Sequence, residues 1–345
     1  MAIITESLLG DQSSSRPPEA TSGQNNSEST RPNDADPFKK VNVEQWILEL
    51  RDRRTRENAL QRLSKIREIR EDLAPLLWHS FGTTYTLLKE ILEVYPMVTS
   101  PHLLTQEASN RACNTLSLYQ CVAAHPETRN LFVKGKYVEG ENESRSNIPM
   151  YIYPFLGTKS KEKPYEYLRL SSLGVIGALV KDNDEDIITF LLQTQVFCYC
   201  IRCIEVGTIL SRTVATFIIE RILISDQGMK YCITFADRFY VITQVLSRML
   251  DKLPEEPSHR LLKLIIHCFL RLSDGLTDVD SLSLCLPRSL RDSRVINLVS
   301  DDPVAMSYLR RLYCNVAAGR KPNGAAGKQP NGASGAESNG RVAKG

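Results

Sequence analysis

The chain has 345 residues, 42% of them hydrophobic, with a net charge of +3 and nine cysteines. Such length and apolar content allow one large domain or two ordinary ones, and the near-neutral charge excludes a global field for nucleic acid or membrane. The opening MAIITESLLGDQSSS has no basic segment and no long apolar core, which argues against a secretory signal. No apolar run approaches the ~20 residues of a spanning helix, so no membrane partner is expected. Nine Cys without a signal read as reduced thiols. A cytoplasmic and nuclear location is expected.

In chain order, residues 1–38 are rich in Ser, Asn, Pro, Glu and Thr and carry six acidic against two basic groups. Such a segment buries too little to offset chain entropy and is expected to be a disordered tail. Residues 39–318 then read as helix after helix, with no sustained two-residue alternation of the kind strands require. Four segments share one plan, an apolar helix, a polar break and a shorter apolar helix: 116–133, 174–192, 215–233 and 265–284. The breaks carry helix-start chemistry, Pro126 and Glu127 for a first turn and Asp182, Asp184, Asp226 and Asp274 for caps. Spacing is 44 residues from Asp182 to Asp226 and 48 from Asp226 to Asp274, but 57 from His125 to Asp182. The long interval contains KGKYVEGENESRSN, 134–147, a charged loop with two Gly that looks inserted. Periods of ~40–47 residues with two or three helices are those of armadillo and HEAT arrays. The fold class is therefore all-α, a right-handed superhelical armadillo/HEAT-like solenoid with one concave face. An irregular helical bundle is the alternative. Residues 319–345, with KPNGAAGKQPNGASG, are expected to form a second disordered tail.

Catalytic chemistry is hard to find in these residues. The five His form no HExxH pair, and no GxxxxGK[ST], GxGxxG or GxSxG stretch occurs. His267 lies in an apolar helix and reads as a hydrogen-bonded core residue. Cys198, Cys200 and Cys203 in CYCIRC would splay around a helix rather than converge on zinc. Acidic runs such as 184–186 sit where a helix start alone accounts for them. The reading is of a protein that is not an enzyme and has no metal site and no cofactor. Arg169, Lys181, Arg202, Arg212, Arg221, Arg238, Arg248, Arg260 and Arg271 are spread over successive helices. Placed on the concave side they would form a basic stripe for a single-stranded nucleic acid; otherwise they are solvated outer faces.

The stretch YEYLRLSSLGVIGALVK, 165–181, is predicted to be helical although Gly174 and Gly177 lie inside it. On a helical wheel Leu168, Leu173, Val175, Ile176, Leu179 and Val180 form the core face. Tyr167, Ser171, Gly174, Ala178 and Lys181 form the other, which is expected to meet water or a partner. Small residues there leave either a shallow channel for a visiting helix or close packing against a neighbouring repeat.

These residues, with LAPLLWHSFGT (73–83), SNRACNTLSLYQCVAAHPETR (109–129), YPFL (153–156), LSRTVATFI (210–218) and RLLKLIIHCFLRLSD (260–274), resemble the Rcd-type cell-differentiation family. That family is the Caf-type armadillo subunit of the Ccr–Not deadenylase complex, and the resemblance covers about 40–318. It implies about six armadillo repeats without catalysis. Its partners would be the large Not scaffold and short helical peptides of RNA regulators, in mRNA deadenylation, decay and translational repression. It leaves open single-stranded nucleic acid with a role in transcription regulation, and a homodimer. It implies a peptide groove at Tyr167, Gly174 and Val214, with Arg212 and Thr213 flanking Val214. It implies scaffold docking at His79 and Phe81 and on the following helix, where Tyr85 replaces a usual small residue. Arg238 and Arg260 match an outer-face tryptophan pocket, but Ala236 and Thr277 depart from it. Cys198 stands where a Pro is usual.

Overall fold

The computed structural model describes residues 42–100, 102–134, 136–139, 142–145, 147–275 and 280–319. Both expected tails, apart from Gly319, and Thr277 lie outside these residues. The helices are α1 (Val43–Glu49), α2 (Arg56–Ile66), α3 (Leu73–His79), α4 (Thr83–Glu93), α5 (Tyr95–Thr99), α6 (Gln106–Ala124) and α7 (Pro126–Lys134). A hairpin follows, β1 (Lys136–Glu139) and β2 (Asn142–Arg145). Then come α8 (Ile148–Leu156), α9 (Lys163–Val180), α10 (Glu185–Gln193), α11 (Val196–Val206), α12 (Ile209–Ile224) and α13 (Asp226–Ile233). The last are α14 (Ala236–Lys252), α15 (His259–Gly275), α16 (Asp280–Cys285), a 3-10 turn (Arg288–Arg291), α17 (Ser293–Asn297) and α18 (Pro303–Gly319).

Six helices, α2, α6, α9, α12, α15 and α18, stack side by side in sequence order, each against the next. They begin at residues 56, 106, 163, 209, 259 and 303, and the longest interval is the one that holds the hairpin. Each repeat leans on its neighbours, and one continuous apolar cluster runs from Val43 to Val316. The four predicted long-then-short helix pairs are α6–α7, α9–α10, α12–α13 and α15–α16.

The polar breaks do local and long-range work together. His125 is extended before Pro126, as the residue before proline prefers, and Pro126 opens α7. The Asp184 carboxylate accepts from the backbone N–H groups of Asp186 (2.9 Å) and Ile187 (3.2 Å), capping α10. Three cap expectations need correction. Asp182 does not cap α10, whose cap is Asp184, and its carboxylate meets Arg129 instead. Ser225 rather than Asp226 caps α13, accepting from Gly228 N–H at 3.1 Å. Asp274 lies inside α15, where it takes Arg271, Arg311 and the Asn315 amide. Successive breaks are also tied together. Lys134 meets Asp186 at 2.8 Å, and Glu185 accepts from Ser225 Oγ at 2.8 Å and Asp226 N–H at 3.1 Å. Gly228 lets α13 fold back beneath α12, because a Cβ there would lie 1.9 Å from the Ile222 carbonyl oxygen.

The inserted segment is not a plain loop. Lys136 to Glu139 pairs antiparallel with Arg145 to Asn142. Its strands are too short and too charged to show the apolar alternation by which strands are recognised.

Candidate functional site

Helix α9 lies between α6 and α12, with α8 behind it. From Tyr165 to Val180 every residue except Tyr167 is buried, and Tyr167 is half-buried. The expected open face at Ser171, Gly174 and Ala178 is therefore corrected: it is a packing face. The wheel describes one helix, whereas a helix within a stack has a neighbour on each flank. Small residues there let the flanking helices approach. Lys181, beyond the helix end, is exposed.

Val214 is also sealed, with 0% of its surface exposed. So Gly174 and Val214 do not form an open groove. Thr213 beside it is buried, and Arg212 donates to Glu256 at 3.0 Å. The exposed apolar group of this region is Leu210, 40% exposed and one turn before Val214 on the same helix face. Sequence reasoning missed it, although the four-residue offset from Val214 was a usable signal. Glu166 of α9 accepts from Thr208 N–H at 2.9 Å and Thr208 Oγ1 at 2.6 Å just before α12. That contact brings the first turns of α9 and α12 level. Tyr167 and Leu210 are thus the accessible residues of these two helices, and Gly174 and Val214 are sealed within them. Close by, Ile204, Val245 and Met249 floor a cavity of about 220 Å³ edged by Arg212, Arg248 and Lys252.

The second candidate surface is assembled. Gly82 has φ +75°, a left-handed conformation that opens α4 and turns the chain sharply after α3. Phe81 is thrown outward, 86% exposed, with the Arg51 guanidinium 5.6 Å from its ring centre. Tyr85 is 62% exposed. Leu88, half-buried, and Leu92, exposed, continue the same face at helical spacing. His79 lies at the end of α3, its Nε2 3.3 Å from Glu127 of α7. The result is an apolar stripe along the outward side of α4. Leu88 and Leu92 were not singled out from sequence, although their spacing from Tyr85 pointed to them.

The outer-face pair is not a matched pocket. The Arg238 guanidinium stacks 3.8 Å from the Tyr231 ring centre and 4.6 Å from that of Phe235. Aromatic contact is thus supplied by residues other than position 236. Arg260 is half-buried at the start of α15.

The basic stripe is not assembled either. Arg169 is completely buried, with its guanidinium on Glu166 and on the Thr158 and Ser160 carbonyls. Arg202 donates to the Gly157 carbonyl, Arg221 lies over Phe217, and Arg248 and Arg271 meet Glu205 and Asp274. His267 is held as a structural residue, its Nδ1 2.6 Å from Glu220 and its ring stacked on Tyr308 at 4.4 Å. Cys200 and Cys203 are buried and Cys198 is exposed. Burial pushes the Cys203 thiol up to about 12.

Comparison with known proteins follows this geometry. A model of the cell differentiation family, Rcd1-like, matches residues 46–316. The chain is 44% identical over 275 residues to cell differentiation protein rcd1 of Schizosaccharomyces pombe, covering 80% of this chain and 93% of that protein. It is 46% identical over 262 residues to protein CAF40 of Saccharomyces cerevisiae, covering 76% of this chain and 67% of that protein. Among solved structures it is similar to a designed armadillo repeat protein, with a TM-score of 0.55 at 12% identity over 79% of this chain and 99% of that one. A computationally designed armadillo repeat protein for modular peptide recognition gives a TM-score of 0.52 at 11% identity, over 79% of this chain and 99% of that one. These two likenesses concern the fold alone, an armadillo-type solenoid. With a family match across most of its length and two such relatives, the chain belongs to the Rcd1-like cell differentiation family.

Proposed function

We propose that this chain is a non-catalytic adaptor subunit of a Ccr–Not-type complex. It binds the large Not scaffold and short helical peptides of RNA regulators, and so promotes mRNA deadenylation, decay and translational repression in cytoplasm and nucleus. The observation that carries this reading is the outward stripe of Phe81, Leu88 and Leu92 on an armadillo body of this family. Apolar side chains held rigidly outward are the anchors of helix–helix docking. Peptides are received at Tyr167 and Leu210, with Gly174 and Val214 sealed within the same helices. Recognition is then shape and apolar contact.

Co-purification from cells tests the reading. The wild-type chain is expected to bring down the Not scaffold and deadenylase subunits. Phe81→Ala should weaken scaffold binding by about 2 kcal/mol, the scale of an interface anchor. Retention of the full complex by Phe81→Ala would remove the stripe from the interface. By the family resemblance Tyr85 fills a place where a small side chain is usual, and an oversized group at a packed contact costs about 1 kcal/mol or more. Tyr85→Ala is therefore expected to tighten scaffold binding roughly fivefold by calorimetry. An unchanged affinity would show that Tyr85 lies clear of the contact.

A further inference from the structure

A cavity of about 530 Å³ opens where the ends of α2 and α6 meet. Its walls include Arg67, Glu68, Arg70, Glu71, Gln120 and Cys121. The volume falls within the roughly 300–1,000 Å³ typical of ligand pockets. Gln120 is only 8% exposed, and its Oε1 is buried without a hydrogen-bond partner among the described residues. Buried amide oxygens are normally paired, and one left unpaired is costly to the fold. The oxygen and nitrogen of a side-chain amide exchange places by a half-turn about its last bond. Gln120 can thus present the cavity with an acceptor or a donor.

The wall charges identify what fits. Arg67 and Arg70 are balanced by Glu68 and Glu71, and Arg67 is already paired with Glu68 at 2.7 Å. Arg70 is engaged by Asp72, also at 2.7 Å. A balanced wall gives no net attraction to a phosphate backbone, whose binding depends on unspent cations. Cys121, Ala124 and Pro126 supply apolar floor. The neutral amide of Gln120 is matched by a group that both donates and accepts without charge.

We propose that this cavity binds an uncharged stretch of extended peptide backbone, with a peptide amide paired to Gln120. It would be a second peptide contact, on the first two repeats, distinct from Tyr167 and Leu210. The inference does not depend on membership of any complex, and its test uses the isolated full chain.

The test follows the Gln side-chain amide resonances of the isotope-labelled full chain by NMR. The probe is an acetylated, amidated tetra-alanine peptide at millimolar concentration. A saturable shift of the Gln120 amide is expected. The same peptide N-methylated at its central amides should bind about tenfold more weakly, having lost its donors. Gln120→Met should weaken the parent peptide by a similar factor while leaving Tm unchanged or higher, because the unpaired oxygen is gone. Absence of any saturable shift overturns the proposal. So does a clear fall in Tm for Gln120→Met, which would make Gln120 a structural residue. So does a shift of the Gln120 resonance by oligouridylate but not by the peptide. Failure of the adaptor reading would appear only in co-purification, so the two can be told apart.

Discussion

Val214→Glu is expected to unfold the protein, not merely to empty a peptide seat. On sequence alone the substitution looks like a surface lesion, a charge set into a groove with the fold intact. In the structure Val214 has no exposed surface and lies within the apolar cluster. A carboxylate there has no partner, and an uncompensated buried charge costs about 3–5 kcal/mol. Typical domains have about 5–15 kcal/mol in total. At about 2–4 °C per kcal/mol for a chain of this size, Tm should fall by ~10 °C or more. Leu210→Glu is the matched control. Its side chain starts exposed, so Tm should move by no more than about 2 °C, while capture of regulator peptides is lost. Thermal melting of both variants beside pull-downs separates the roles. If Val214→Glu melts with the wild type and loses its peptides, Val214 is the contact and Leu210 is not.

Arg169→Ala is expected to be as damaging. Arg169 has no exposed surface, and its guanidinium joins Glu166, the Thr158 side chain and two carbonyls that precede α9. Glu166 in turn receives the start of α12 through Thr208. Removing the cation strands a buried carboxylate at the junction of two repeats, again about 3–5 kcal/mol. Restoring neutrality with Glu166→Gln in the same chain should recover part of this, because the two groups are coupled. A double variant no better than the single one would show that Arg169 acts through its carbonyl contacts instead.

The same pair predicts a pH dependence. Burial pushes the Glu166 carboxyl up, but the Thr208 hydroxyl and N–H and the Arg169 charge outweigh it. The net effect holds Glu166 below its ordinary value of 4.5. Between the folded and unfolded values the unfolded chain binds the proton and the folded one does not. The Glu166 contribution is therefore present above about 4.5 and is lost as pH falls through the lowered folded value. Urea melts should show this acid-limb loss shrink in Glu166→Gln. A loss of equal size in both proteins would place its origin in other carboxylates.

Much of this architecture was legible without coordinates. The long-then-short helix pairs, the Pro126 break and the Asp184 cap follow from local chemistry, and the spacing of the breaks points to stacked repeats. The stripe of Phe81 and Tyr85 was half legible. The resemblance marked those residues, but only the left-handed turn at Gly82 shows why Phe81 stands outward. The hairpin was not legible, because strands of four residues, two of them charged on each side, leave no apolar alternation to detect. The basic stripe failed because the sequence counts charges and cannot show which are already spent. Arg169 is the extreme case, a cation with no exposed surface.

What the sequence determined by itself is the repeat. Helix propensity, caps and 3.6-residue apolar patterning act over a few neighbours in the chain, and each break carries its own instructions. What the tertiary structure decided is which faces remain open. Tyr167 and Gly174 share a helix, yet one is half-buried and the other sealed. Leu210 and Val214 share a face of α12, yet one is exposed and the other is not. Exposure is set by the flanking helices, which come from repeats some fifty residues away in either direction, and no pattern within one helix contains them.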